Sequence, residues 1–171
     1  IKDRDGRTIR TRGANQDITE LKMAQEKLYE STERLNLALK TTKLGIYDWN
    51  IRDNTLSYND ELFTMLGYTP EDYVEGRVSF GDIIHPDDLL SKEEKLKEHL
   101  EGKTPYYETE YRMRAKDGEW RWMAVRGEVV ERDPAGRAVR ITGTHFDISE
   151  RKRDEERITH LNKVLKAVRN V

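Results

Sequence analysis

Residues 133–158 read DPAGRAVRITGTHFDISERKRDEERI, and the same pattern stands without a gap at residues 3–28, DRDGRTIRTRGANQDITELKMAQEKL. Identical pairs include Gly6/Gly136, Arg10/Arg140, Gly13/Gly143, Asp17/Asp147, Ile18/Ile148 and Glu20/Glu150. Each copy opens on a Gly-bearing turn, continues through a strand-like stretch and passes an Asp-Ile-Thr/Ser-Glu junction into a charged helical pattern. Self-similarity at a fixed interval marks an array of modules. The interval is 130 residues, room for one domain with its connectors. The chain therefore divides into a terminal strand remnant of an upstream module at 1–18, a connector helix at 19–42, one whole domain at 43–148 and an exit helix at 149–171. It begins at Ile1 inside a turn-like sequence, as a piece cut from a longer protein does.

Charged residues make up 37% of the 171, against roughly 25% in an average globular domain. The excess lies in 20–40 and 150–169, which leaves an ordinary core-forming segment between them. A net charge of −2 gives no electrostatic reason to expect nucleic acid or an anionic membrane. No apolar run is long enough to span a bilayer and no signal peptide is visible, so no membrane segment is expected. The chain has no cysteine, which excludes disulfides, thiolate metal sites and cysteine nucleophiles and fits a cytoplasmic setting.

Thr19 offers an N-cap for the connector helix. Leu21, Leu28 and Leu35 recur on it at seven-residue spacing with small residues between, a narrow stripe suited to pairing with a second copy. The competing reading lays this helix on its own domain. On the exit helix Ile158, Leu161, Leu165 and Val168 step by 3, 4 and 3, widened by Val164 and Val171. A helix with so narrow a stripe needs a partner, either a second chain or the domain itself.

Between the connectors, Gly45–Ile51 and Thr55–Tyr58 read as strands joined by a turn. Asn59 or Asp60 caps a short helix carrying Leu62, Phe63 and Leu66, and Thr69-Pro70 opens another. His85-Pro86-Asp87-Asp88 starts a longer helix, with both carboxylates read as surface charges near its positive end. Tyr107, Thr109, Tyr111 and Met113 alternate with polar residues on a third strand. Lys116-Asp117-Gly118 turns into a fourth, and Asp133-Pro134-Ala135-Gly136 into a fifth. Ser149 is read as the cap of the exit helix. The order β-β-α-α-α-β-β-β predicts an α+β domain: a five-stranded antiparallel sheet with short helices on one face, flanked by coiled-coil-like helices.

Five segments in register now resemble one family: GIYDWN at 45–50, SYNDELFTMLGYTPEDY at 57–73, IIHPDD at 83–88, YRMRAKDGEWRWM at 111–123, and the stretch from Gly136 to Lys152. Together they are similar to the PAS domain, in the subtype found in multi-domain bacterial and archaeal sensor kinases. The copy at 3–22 resembles the end of a preceding PAS domain.

The resemblance implies a ligand pocket on the concave face of the sheet. Carried over residue by residue, its candidate lining is Tyr47, Trp49, Phe63, Leu66, Ile83, Ile84, Tyr111, Met113, Arg126, Ile141 and His145. Period two places Ile141, Gly143 and His145 on one face of the last strand. On the fourth strand Trp122, Ala124 and Arg126 are favoured inward, whereas a one-residue slip would turn Met123 and Val125 there instead. The apolar members are read first as core. An inward Arg126 would need an acidic partner or an anionic ligand, so a small carboxylate held between Arg126 and His145 is one reading of the pocket. The bland reading of His145 is a histidine hydrogen-bonded in the core. His85 resembles the family's structural turn histidine.

No cofactor is expected. A flavin photosensor of this fold forms its adduct on a cysteine, and this chain has none. A haem relative needs an axial ligand on the long helix, where His99 is the sole histidine and is read as solvated among Lys95, Lys97 and Glu98. No phosphate loop, paired-histidine metal spacing or acid–base constellation is present, so no enzyme is expected here. His160 lacks the acidic neighbour and later proline that follow a sensor-kinase phosphoacceptor.

The resemblance implies a homodimeric sensory module within a larger signalling protein. It would bind a small ligand or partner and relay the change through Asp147, Ile148 and Ser149 to an output domain, a histidine kinase. Neighbouring domains of the same chain would be its other partners. The alternative is a ligand-free dimerisation and protein-interaction spacer.

Overall fold

The computed structural model describes residues 4–6, 18–69, 71–72 and 80–169. All but the last residue of the strand expected over Thr8–Ile18 and most of the helix expected after Thr69 lie outside them, as does Val171. Two units are separable, Ile1–Ala38 and Leu39–Val171. The first contains most of helix α1 (Thr19–Thr42), on which no residue is buried.

The second unit is built on β1 (Gly45–Asn50), β2 (Thr55–Tyr58), β3 (Tyr107–Arg114), β4 (Trp120–Arg132) and β5 (Ala138–Asp147). They form one antiparallel sheet in the order β2-β1-β5-β4-β3, which places the last strand at the centre. Helices α2 (Asp60–Met65) and α3 (Pro86–Leu100) and the 3-10 turn Phe80–Ile83 precede the last three strands, and α4 (Ser149–Arg169) follows them. This is the α+β order that the sequence predicts.

Alternation decides which face is covered. On β3, Tyr107, Thr109, Tyr111 and Met113 are buried while Glu108, Glu110 and Arg114 are exposed. Leu62 and Leu66 from the α2 region, with Ile83 and Ile84, pack on that inner face against Met113, Met123 and Ile141. Gly45 lets α2 come close: a Cβ there would stand 2.8 Å from Met65 Cε and 3.0 Å from Leu62 Cβ. Asn59 stands at the N-cap position, but its side chain serves the strand instead. Its Oδ1 accepts from Ile46 N–H at 2.7 Å and its Nδ2 donates to the Leu44 carbonyl at 2.9 Å.

Two readings of charged residues are corrected. Asp88 is not a surface charge: its carboxylate accepts from the Arg112 backbone N–H at 2.8 Å, from Nε at 2.9 Å and from the guanidinium end at 2.8 Å. It ties the first turn of α3 to β3. On β4 the slipped register holds, with Met123 and Val125 buried inward and Arg126 on the outer face. The physical reason is charge. Outside, the Arg126 guanidinium meets Glu108 at 3.3 Å and lies 4.2 Å from the centre of the Tyr106 ring, and it is spared desolvation. Trp122 is accommodated on the same face, its ring between Arg112 and Lys152 at 5.3 and 4.8 Å.

Candidate functional site

One row of paired residues crosses the inner face of the sheet: Tyr58, Tyr47, Gly143, Gly127 and Tyr107. The two central glycines make the floor on which the Tyr47 ring lies. A Cβ on Gly143 would be 2.6 Å from Tyr47 Cε1, and one on Gly127 would be 2.1 Å from Tyr47 Oη. The neighbouring row carries His145 beside Val125, and the row on the other side carries Trp49 beside Ile141.

Above this floor lies a cavity of about 350 Å³. Its sheet wall is Tyr47, Trp49, Tyr107, Tyr111, Val125, Ile141 and His145; β2 and its turn add Asn54, Leu56 and Tyr58; α3 adds Lys92 and Leu96. A larger groove of about 720 Å³ runs on the outside past Met65, Phe146 and Arg153. Its rim is mostly exposed charge, and no buried orphan polar atom points into it among the described residues. The inner cavity is therefore the candidate site.

Its polar groups are unusual for a core. The hydroxyls of Tyr47 and Tyr107 are buried with no hydrogen-bond partner among the described residues, a state that costs about 1–3 kcal/mol per group when nothing satisfies it. Burial pushes both phenols up, so they stay protonated. His145 Nε2 lies 2.8 Å from Tyr111 Oη, and its ring meets the edge of Tyr47 at 5.2 Å between centroids. Burial, with a smaller push from the Lys92 charge, brings the His145 pKa down to about 3. The imidazole is neutral at ordinary pH. Burial also holds the Lys92 ammonium below the usual lysine range.

Of the residues carried over from the sequence, Tyr47, Trp49, Tyr111, Ile141 and His145 line this cavity. Leu66, Ile83, Ile84 and Met113 belong to the packed core, and Phe63 is buried edge-on to Tyr58, 5.8 Å between centroids. None of these five lines it, and Arg126 is on the other side of the sheet, so the Arg126–His145 carboxylate clamp is discarded. His99 also departs from expectation. It is buried, its Nδ1 lies 3.0 Å from the Thr104 carbonyl, and its Nε2 accepts from Val129 N–H at 3.0 Å. Both nitrogens are engaged, which leaves neither for an axial bond to iron. The sequence reading missed Tyr58, Tyr107, Gly127 and Lys92. The signal for Lys92 was its spacing: Lys92, Leu96 and His99 step by 4 and 3 and share one face of α3. Among the described residues no group of three or more His, Asp or Glu is placed to hold a metal ion.

The same sheet holds the start of α4. Ile148 N–H donates to the Trp122 carbonyl at 2.8 Å, and Trp122 N–H donates to Ser149 Oγ at 2.9 Å. Ser149 is thus not the cap it was read to be. Asp147 Oδ1 accepts from Ser149 N–H at 2.8 Å, and the serine hydroxyl is spent on β4. Glu110 on β3 receives Lys152 at 2.6 Å and also pairs with Arg151. Five backbone and side-chain ties therefore join the exit helix to strands that floor the cavity.

A family profile described as the PAS fold matches residues 55–145, just over half of the chain. This chain belongs to the PAS-fold family. The methyl sulfide methyltransferase-associated sensor of Methanosarcina acetivorans is 37% identical over 113 residues, covering 66% of this chain and 11% of that protein. The probable diguanylate cyclase DgcE of Escherichia coli is 24% identical over 156 residues, covering 91% of this chain and 14% of that one. The chain thus spans between a tenth and a seventh of these two relatives. A solved sensory box histidine kinase/response regulator from Burkholderia thailandensis superposes with a TM-score of 0.66 at 29% identity, over 78% of this chain and 98% of that one. The domain is a PAS sensor module of the kind that multi-domain signalling proteins carry. No helix among the described residues is long and apolar enough to cross a membrane.

Proposed function

We propose that this chain is the sensing and relay segment of a larger cytoplasmic signalling protein, a sensor histidine kinase. Its inner cavity would receive a small ligand, and its flanking helices would pair in a homodimer. The observation that carries this reading is the position of the cavity. Tyr47 and Tyr107 hold orphan hydroxyls on the same strands whose neighbours are bonded to the first turn of α4. A ligand that satisfies those hydroxyls gains affinity only in the sheet geometry that presents them. Differential affinity for two geometries is what shifts a population between states. The shift would pass from β5 and β4 through Asp147, Ile148 and Ser149 into the helix. Support for dimerisation lies in the helices themselves: Leu21, Leu28 and Leu35 on α1, and Ile158, Leu161, Leu165 and Val168 on α4, are exposed in the single chain.

Mass spectrometry of the natively purified protein tests the reading together with spin-label distances between paired Ile158 sites. A co-purified small molecule whose removal changes the inter-helix distance supports it. A cavity that takes nothing, with a distance that never changes, favours the ligand-free dimeric spacer instead.

A further inference from the structure

Among the described residues that line the inner cavity, Lys92 is the one charged side chain. It is half-buried and forms no ion pair within 4 Å among the described residues, its nearest charge support being the neighbouring Glu93 on the same helix. The remaining polar groups are neutral. Burial keeps the Tyr47 and Tyr107 phenols protonated and His145 uncharged. The cavity wall therefore carries a single positive charge over a mostly aromatic and aliphatic surface.

That balance selects among ligand classes. A cationic ligand would bring a second positive charge beside Lys92. A neutral one would desolvate the half-buried ammonium further with only the exposed Glu93 to offset it, and a dianion would import one charge that nothing on the cavity wall answers. A monoanion alone balances the charge on the cavity wall. Volume narrows the choice further. At the roughly 30 Å³ that each molecule takes in liquid water, the cavity holds about a dozen non-hydrogen atoms, well short of a flavin nucleotide or a haem.

We propose that the cavity binds a small monocarboxylic acid as its anion, with the carboxylate on Lys92 and an apolar body against Trp49, Leu96 and Ile141. This inference rests on the sensor reading of the same cavity, and deepens it by naming the ligand class.

The test titrates the isotope-labelled chain with phenylacetate, benzoate and hexanoate. Phenylacetamide, phenethylamine and phenyl phosphate serve as the neutral, cationic and dianionic counterparts. Backbone amide shifts of Gly127 and Gly143, which floor the cavity, report occupancy. At least one carboxylate is expected to shift both signals saturably, with phenylacetamide and phenyl phosphate at least about tenfold weaker, a factor worth 1.4 kcal/mol. Lys92→Met should erase that preference while the amide spectrum of the sheet stays unchanged and the thermal midpoint does not fall. If the amide, amine or phosphate probe binds the wild type as well as the acids do, or if Lys92→Met keeps the preference, the carboxylate assignment falls and the pocket reading stands. If no probe of any charge moves either glycine signal, the pocket reading falls with it.

Discussion

The Tyr47 hydroxyl reaches across β5 to Gly127 on β4, so close that a Cβ on Gly127 would be 2.1 Å from Oη and 3.2 Å from Cζ. The glycine is therefore a partner of the tyrosine, and the two should show it energetically. Gly127→Ala is expected to destabilise the domain by about 1–3 kcal/mol, the usual range for overpacking a filled core. In a Tyr47→Phe background the worst contact disappears with the hydroxyl, and the same substitution should cost about 1 kcal/mol less. Denaturant unfolding of the four proteins in the double-mutant cycle measures the coupling; strict additivity would contradict this geometry. Gly143→Ala should be more costly than Gly127→Ala, because its Cβ would meet the Arg126 carbonyl oxygen at 2.2 Å, and backbone cannot swing aside as a side chain can.

His145 should make the fold sensitive to mild acid. In the folded state it remains neutral down to about pH 3, whereas in the unfolded chain it titrates near pH 6.5. Between those values the unfolded chain binds the extra proton, so stability rises with pH there. The contribution is complete above about pH 6.5 and is lost as the pH falls, by up to about 1.4 kcal/mol per unit. His145→Gln keeps an amide near Tyr111 Oη and removes the titration. The wild-type stability curve should fall away from that of the variant between pH 6.5 and 4.5; parallel curves would exclude the mechanism.

Asp88 acts in a lower window. The Arg112 side chain holds its carboxyl below the usual carboxylate range. A depressed acid stabilises the fold above its unfolded pKa, about 3.9, and that stability is lost as the pH falls through the lower folded value. Asp88→Asn removes the charge while keeping the shape. It should cost about 1.5–3 kcal/mol at neutral pH, the range for hydrogen bonds to a charged group. It should also flatten the stability profile below about pH 4. A cost indistinguishable from zero, with a profile that still falls below about pH 4, would mean that the bond to Arg112 contributes nothing.

The fold was legible where one face of an element differs chemically from the other. β3 sits at the sheet edge with tyrosines, a threonine and a methionine on one parity and charges on the opposite one, so its orientation follows from period two. β4 offers no such contrast. Trp120 and Trp122 fall on one parity and Met123 and Val125 on the other, and only the partners across the sheet decide. Met123 pairs with Tyr111 and Val125 with His145, both already inward. The same limit hid much of the site. His99 stands among charged neighbours in the sequence, but Lys97 and Glu98 point elsewhere on the helix, the long Lys95 side chain one turn back reaches solvent, and His99 shares its buried side with Leu96. The meaning of Gly127 depends on Tyr47, 80 residues earlier and two strands away, and no local pattern carries it.

The junction between sheet and exit helix is held by bonds that can be cut one at a time. Ser149→Ala leaves the part-buried Trp122 N–H without its acceptor, at a cost of about 1–3 kcal/mol. Asp147 still caps the first turn through the Ser149 N–H, so the helix itself should persist. Glu110→Gln removes the shared counter-charge of Arg151 and Lys152 without touching the backbone of the helix. If these contacts are what fasten α4 to the sheet, hydrogen exchange should speed up at amides 150–156 in both variants. Tyr107–Arg114 and the centre of β5 should keep wild-type protection. The combined variant should also uncouple any ligand-driven change in the Ile158–Ile158 distance, because the cavity and the helix would then no longer share a rigid connection. Exchange that accelerates over the sheet as well would mean that the helix anchors the fold. Exchange that does not change anywhere would mean that the Ile148 N–H bond to Trp122 suffices on its own.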